Sequence, residues 1–459
     1  MSAPIHVVIL AAGQGTRMNS ALPKVLHPVG GKPMLGHVLD TARGVGAAAC
    51  HVVHGHGAES VRAAFASARD VSWVLQARQL GTAHAVQQAM PGIPGEALVL
   101  VLYGDVPLIS ADTLNRLVAA AGKGMALVTV NLPEPKGYGR ILRDAKKKVR
   151  GIVEENDASA AQKKITEVNT GLFAVPAKRL KKWLAQVRNH NAKKEYYLTD
   201  IVALAVRDKI AVNAVAAASA DEVEGVNDRV QLARIERAYQ RAQAEALMRA
   251  GLSLADPARF DLRGTLRHGR DVKLDVDVII EGACEFADGV SIGPYCLLKN
   301  VKLGAGTVIE AHSVLDQAVT GKAAHVGPFA RLRPGTELAD GARVGNFVET
   351  KQAKVGKRSK INHLSYVGDA ELGADVNVGA GTITCNYDGA NKHQTKIGDG
   401  AFIGSNSALV APVSVGAGAT IGAGSVITKD APAGELTVAR GKQLSISGWK
   451  RPAKKSRDS

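Results

Sequence analysis

Between Ile397 and Ile427 an aliphatic residue returns at every sixth position: Ile397, Ile403, Leu409, Val415, Ile421 and Ile427. Glycine follows four of them, at Gly398, Gly404, Gly416 and Gly422. A helix places apolar residues three and four apart, and a half-buried strand places them two apart. A beat of six fits neither. It fits a coil of short strands, each sending one aliphatic side chain inward, with glycine where the chain bends. The beat also runs through Val326, Leu332, Leu338 and Val344, then Val355, Ile361 and Val367, then Leu372 and Val378, with traces at Ile292, Leu298, Leu303 and Ile309. Residues 251–445 therefore read as one parallel β-helix of stacked hexapeptide turns.

The amino-terminal half has a different grammar. Ile5–Leu10 is a short apolar run of the kind found in buried parallel strands. It leads into Gly13-Gln14-Gly15-Thr16-Arg17, where two glycines in a tight loop let backbone N–H groups face an anion. Arg17 and Lys24 add positive charge. The loop lacks the Gly-Lys-Ser/Thr of a P-loop and the GxGxxG of a dinucleotide fingerprint. Strands at Cys50–Val53, Trp73–Leu75, Ala97–Leu102 and Ala126–Val130 alternate with helices near His37–Arg43, Glu59–Ala68, Thr82–Met90 and Ala111–Ala121. That alternation implies a Rossmann-like, mostly parallel α/β sheet. Ligands in such sheets sit beyond the carboxyl ends of the strands, where Tyr103-Gly104-Asp105 falls. One carboxylate with phosphate oxygens suffices for Mg²⁺, although spacing alone equally allows a turn aspartate before Val106-Pro107. His54 and His56 read as a strand-end loop more readily than as metal ligands. Arg229–Ala250 has helical spacing and ends at Gly251. The chain thus divides into a domain of residues 1–228, a long helical linker at 229–250 and a hexapeptide domain at 251–459 with a basic tail.

The 58 Lys and Arg exceed the 42 Asp and Glu, for a net charge of +16. Aromatics at 4% supply few base-stacking platforms and no nucleic-acid recognition module is visible, so the charge reads either as attraction for anionic small molecules such as phosphates and coenzymes or as solvated lysine faces plus the basic tail. Four scattered cysteines (Cys50, Cys284, Cys296, Cys385) argue against a disulfide framework and for a reducing, cytoplasmic setting. The amino-terminal apolar run is too short for a signal peptide, and no stretch suffices to insert in a membrane.

The six-residue register slips between Val344 and Val355, between Val367 and Leu372, and between Val378 and Ile397. Interruptions of a regular pattern are candidate functional places. They hold or flank Lys351, Tyr366, Asn377, Asn386, Tyr387 and a loop at 388–396. His363 stands among them, and a histidine near neutral pKa suits taking a proton from an amine that attacks a thioester.

The run Leu10-Ala11-Ala12-Gly13-Gln14-Gly15-Thr16-Arg17-Met18, then Pro23-Lys24-Val25-Leu26, with Gln76, Gly81-Thr82 and Tyr103-Gly104-Asp105 in order, resembles the signature of sugar-nucleotide pyrophosphorylases. Joined to a hexapeptide half carrying Lys351, Asn362-His363-Leu364-Ser365-Tyr366 and Asn386-Tyr387, the whole chain resembles the bacterial bifunctional N-acetylglucosamine-1-phosphate uridyltransferase/glucosamine-1-phosphate N-acetyltransferase family. That resemblance implies a left-handed β-helix, homotrimers with acyl sites between subunits, and two reactions. Acetyl-CoA would acetylate glucosamine-1-phosphate, and UTP would then donate UMP to the product. It implies that Leu10, Ala11, Ala12, Gly13, Lys24, Gln76, Gly81, Thr82, Tyr103, Gly104, Asp105, Gly139, Glu154, Asn169 and Asn227 bind nucleotide and sugar. Arg17 and Lys24 would face the phosphates, and Asp105 and Asn227 would hold Mg²⁺. In the second domain Arg333, Lys351, Tyr366 and Asn377 would bind the amino-sugar phosphate, with His363 as base. Ala380, Asn386, Tyr387, Ser405, Ala423 and Arg440 would contact acetyl-CoA.

Two rivals share this architecture. One is a single-activity nucleotidyltransferase whose solenoid is an oligomerising or allosteric platform. The other is a non-catalytic scaffold, which would have no need of Lys24, Asp105 and His363 together.

Overall fold

The computed structural model describes residues 3–55 and 57–452. His56, and the basic tail from residue 453, lie outside the described residues. The chain divides into two compact units, Met1–Gln243 and Ala244–Ser459. A helix, Arg229–Arg249, runs through the point of division.

The first unit is a three-layer α/β structure. Its main sheet is built from β1 (Ile5–Ala11), β2 (Ala49–His54), β3 (Val71–Leu75), β4 (Leu98–Tyr103), β5 (Met125–Asn131), β6 (Arg140–Arg143), β7 (Val149–Val153), β8 (Glu167–Pro176) and β9 (Val212–Ala216). The sheet order is β9-β5-β8-β4-β1-β2-β3, with β6 and β7 forming a hairpin attached to β8. β1 pairs in parallel with β2 and β4, as the alternation of strands and helices requires. β8 runs antiparallel between β4 and β5. Alternate residues of β1 feed two cores: Val8 and Leu10 join one, Val7 and Ile9 the other. A strand covered on both faces needs an unbroken apolar run, and Ile5–Leu10 is one. The helix Thr82–Ala89 starts directly at Gly81, and Ser110 Oγ caps Ala111–Ala121 by accepting from the Thr113 N–H at 3.2 Å.

The second unit is the expected hexapeptide solenoid, a parallel β-helix of the left-handed class. Its period follows from strand register: Ile309 pairs with Val326, Val326 with Val344, Val344 with Ile361 and Ile361 with Val378. Each step is seventeen or eighteen residues, or three hexads per coil. The inward aliphatics form one continuous core from Leu252 to Ala431.

Two of the three apparent register slips are ordinary coil. In the first slip Thr350, and at the start of the third Thr384, are buried and carry the inward beat in place of an aliphatic residue. The Thr384 hydroxyl donates to the Gly368 carbonyl at 2.9 Å and accepts from its N–H at 2.8 Å, so its burial leaves no polar group unsatisfied. The five-residue step from Val367 to Leu372 lies within one paired strand, Tyr366–Leu372. Between Val378 and Ile397 the coil does expand: Val378 pairs with Ile403, twenty-five residues on. The insertion is a small hairpin in which Tyr387 bridges Lys392 and the His393 N–H returns to the Asn386 carbonyl at 2.8 Å. Asp388 closes it, accepting from the N–H groups of Ala390 and Asn391 and facing the His393 ring at 2.7 Å.

Candidate active sites

In the first unit a pocket of about 270 Å³ opens at the carboxyl ends of β1 and β4. Leu10, Ala11, Ala12, Gly13, Lys24, Gln76, Gly81, Thr82, Tyr103 and Asp105 line it, joined by Gln79 and Glu195, which sequence reasoning missed. Gly104 sits beneath, its N–H donating to the Leu10 carbonyl at 2.9 Å. Open space surrounds the position a Gly13 side chain would take, so backbone can be approached there. Gly15, at φ +64°, packs its α-carbon against the Lys24 stem and aims that side chain.

Lys24 donates to both the Asp105 carboxylate and, at 3.3 Å, to Asn227 Oδ1. Asn227 reaches this point because the Val226 N–H donates to the Asp105 carbonyl at 2.9 Å. Two oxygens from chain segments far apart in sequence thus converge on one cationic nitrogen. That donor set fits a divalent cation, which takes oxygen ligands and completes its shell with phosphate and water. Arg17 is exposed on a 3-10 turn and is not part of the pocket lining.

Gly81 is shaped by its surroundings. At φ +114°, a β-carbon there would meet the Tyr196 backbone oxygen at 2.6 Å and nitrogen at 2.7 Å. Gln76 Nε2 holds the Gly81 carbonyl at 3.2 Å, and the Leu198 N–H donates to Thr82 Oγ1 at 3.0 Å. Gly139, Glu154 and Asn169 are not part of that lining: a Gly139 β-carbon would lie 3.4 Å from Glu154 Oε2, and the Gly139 carbonyl accepts the Asn169 N–H at 2.8 Å. Glu154 accepts from Thr199 Oγ1 at 2.8 Å. Burial, then the charges of Glu154 and Asp105, push the Tyr103 hydroxyl far above its ordinary range, so this ring stays neutral between the two carboxylates. Asp200 is pushed up to about 6, by burial first and then by Glu154 and Asp157.

In the second unit one corner of the solenoid organises the candidates. Val344, Ile361, Val378, Ile403 and Ile421 pair in file, coil upon coil. Two residues further along each coil stand Asn346, His363, Ala380, Ser405 and Ala423 in the same file. The backbone agrees. The Leu364 N–H donates to the Asn346 carbonyl at 3.1 Å, that of Asn406 to Ala380 at 2.8 Å, and that of Gly424 to Ser405 at 2.8 Å. Arg440 Nη1 donates to the Ala423 carbonyl at 2.7 Å. Coils stack about 4.8 Å apart. Small residues therefore run up the corner from His363, next to an exposed imidazole. Ser365 Oγ donates to the His363 carbonyl at 2.8 Å and fixes its backbone.

Past that corner, Glu349 pairs with Tyr366 and Lys351 with Gly368. Arg333 holds Glu349 at 2.8 Å, Lys351 faces Asp369 at 3.8 Å, and Asn386 donates to the same Asp369. Lys392, from the inserted hairpin, meets Lys351, whose contact and charge hold the Lys392 amine below the ordinary lysine range. Two adjacent ammonium groups beside Arg333 suit an anion. Sequence reasoning singled out the 388–396 loop but not Lys392 itself. A cavity of about 310 Å³ adjoins, lined by Gln352, Asp369, Lys392 and His393 among others. Tyr387 is exposed, its hydroxyl donating to the Gly389 carbonyl at 2.6 Å. Asn377 stands apart, on the other sheet, in register with Lys360 and Phe402.

Comparison with known proteins matches residues 7–168 to the MobA-like NTP transferase domain and residues 394–429 to six bacterial transferase hexapeptide repeats. The bifunctional protein GlmU of Alkalilimnicola ehrlichii is 61% identical over 455 residues, covering 99% of this chain and 98% of that one. That of Marinobacter nauticus is 59% identical over 98% of this chain and 99% of its own. That of Stenotrophomonas maltophilia is 56% identical over 99% of this chain and 100% of its own. With both units, both signatures and the full length shared, the chain belongs to the family of bifunctional GlmU proteins.

Proposed function

We propose that the second unit transfers acetyl from acetyl-CoA to the amine of glucosamine-1-phosphate. The first unit then transfers UMP from UTP to N-acetylglucosamine-1-phosphate, releasing pyrophosphate. Residues 1–228 and 251–459 would be the two catalytic domains, joined by the helical stretch 229–250. The observation that carries the reading is the pairing of an imidazole at the foot of a small-residue corner with a lysine cluster one face away. One binds an acyl carrier along the coils; the other holds a sugar phosphate.

In the acetyl transfer, Arg333, Lys351 and Lys392 neutralise the sugar phosphate and Tyr366 flanks it. His363 Nε2 takes a proton from the amine as the nitrogen bonds to the thioester carbonyl carbon. The C–S bond breaks, and the coenzyme A thiolate leaves and is protonated. Asn386 and Tyr387 border the transfer point, while Ala380, Ser405, Ala423 and Arg440 hold the coenzyme along the corner. A positioned base contributes about 10²–10⁴-fold.

In the uridylyl transfer, Gln76 and the Gly81-Thr82 backbone hold the nucleotide. Gly139, Glu154 and Asn169 hold the sugar. The sugar-phosphate oxygen bonds to the α-phosphorus of UTP as the bond to pyrophosphate breaks. Asp105 and Asn227 would hold Mg²⁺, which supplies charge neutralisation at the phosphates. Lys24 and Arg17 supply positive charge for the phosphate oxygens.

We further propose a homotrimer in which a neighbour completes the acyl site. Asn377 lies on a different face from Lys351 and Tyr366, so a single solenoid does not bring the set together. Exposed Phe329, Phe347 and Leu364 on the same corner suit a subunit contact. Four free cysteines fit a cytoplasmic setting. Among the described residues no helix is long and apolar enough to cross a membrane.

The test is a coupled assay. Glucosamine-1-phosphate, acetyl-CoA and UTP together should yield free thiol, then pyrophosphate. Pyrophosphate from glucosamine-1-phosphate without acetyl-CoA would contradict the order.

A further inference from the structure

His363 is exposed and sits immediately before a sharp bend, since Leu364 has φ +48°. One coil earlier Asn346 holds the same place, with Phe347 at φ +55°. The two residues are direct partners in the ladder between successive coils. Their side chains meet: Asn346 Oδ1 lies 2.7 Å from His363 Nδ1. Among the described residues the ring has no other hydrogen-bond partner. Lys360 lies on its own strand, Arg343 on the preceding coil and Glu349 past the corner, and none of them bonds to the ring.

We propose that Asn346 is the positioning residue of the acetyl transfer, which selects the histidine tautomer by accepting the Nδ1–H. This rests on the reading of His363 as the base. A neutral imidazole carries one proton, and whichever nitrogen holds it cannot accept another. With Nδ1–H directed to the amide oxygen, Nε2 keeps its lone pair and stands on the side away from Asn346. An amide serves better here than a carboxylate. A carboxylate would favour the imidazolium, leaving more of the base already protonated near neutral pH. The stacked-coil geometry supplies the alignment: residues at one register position in successive coils are neighbours whatever the intervening sequence.

Steady-state kinetics of the full chain test this, with uridylyl transfer as internal control. Asn346→Ala should lower kcat for acetylation about 10²-fold, within what a positioned base supplies. KM values, uridylyl rate and melting temperature should stay close to those of the parent. Asn346→Asp restores an acceptor and should recover most of kcat at high pH. Its acid limb of kcat/KM should move up by about one pH unit, as expected of a carboxylate beside a histidine. An Asn346→Ala enzyme within twofold of the parent would overturn the proposal. So would an Asn346→Asp enzyme as slow as Asn346→Ala, or one whose acid limb does not move. His363→Ala, run alongside, separates the two layers. If that variant still acetylates, the assignment of the base fails and this inference fails with it. If it is dead while Asn346→Ala is normal, only the role of Asn346 is wrong.

Discussion

Replacing Gly81 by alanine places one methyl group where the first unit's pocket has no room. The new β-carbon would lie 2.6 Å from the Tyr196 carbonyl oxygen and 2.7 Å from its nitrogen. Backbone cannot step aside as a flexible side chain can. The Tyr196 N–H is bonded to Leu80 at 2.8 Å, and its carbonyl accepts the Ala83 N–H at 2.9 Å. The conformation itself, φ +114° with ψ 175°, favours glycine, and strain there costs about 1–3 kcal/mol. Overpacking adds about 1–3 kcal/mol. If the loop yields locally and nucleotide binding must restore it, a cost of about 3 kcal/mol raises the UTP dissociation constant about 10²-fold. The assay is pyrophosphate release against UTP concentration, beside thiol release from acetyl-CoA. KM for UTP should rise about 10²-fold while acetylation is unchanged. A normal KM together with a normal melting temperature would refute the steric argument.

Other outcomes follow from the same structure. Asp200 holds its proton more tightly folded than unfolded, with its pKa raised from 3.8 to about 6. Its contribution therefore favours folding below about pH 4, and is lost as pH climbs through about 6. Asp200→Asn should raise stability near pH 7 by up to about 3 kcal/mol, the gain vanishing near pH 4 in denaturant titrations. Thr384→Val keeps the shape but strips both Gly368 backbone groups of their partner. It should cost about 2–4 kcal/mol, read as a lower melting transition that acetyl-CoA raises by binding.

The solenoid was legible because its period is local: each hexad states the same inward residue and bend. Thr350 and Thr384 hid two beats, since their suitability for burial comes from hydroxyl partners on neighbouring coils, which composition does not show. The first-unit strands were legible for the same local reason, being unbroken apolar runs. The antiparallel strand Glu167–Pro176 and the hairpin beside it were not, because strand order and direction depend on partners remote in sequence. Lys24 and Asp105 could be placed at one mouth by topology. That Gln79 and Glu195 join them, and that Lys392 meets Lys351, depends on loops whose course no periodicity records. The corner file from Asn346 to Ala423 lies between. It follows from the hexad beat only once the coil length, and the insertion after Tyr387, are known.

On the proposed function, one chain carries two separate catalytic pockets. The most direct measurement assays both half-reactions in two variants of the full chain. His363→Ala should abolish thiol release from acetyl-CoA and leave pyrophosphate release from UTP and N-acetylglucosamine-1-phosphate intact. Asp105→Asn should do the reverse. Equal loss of both reactions in both variants would mean that the two reactions do not have separate sites.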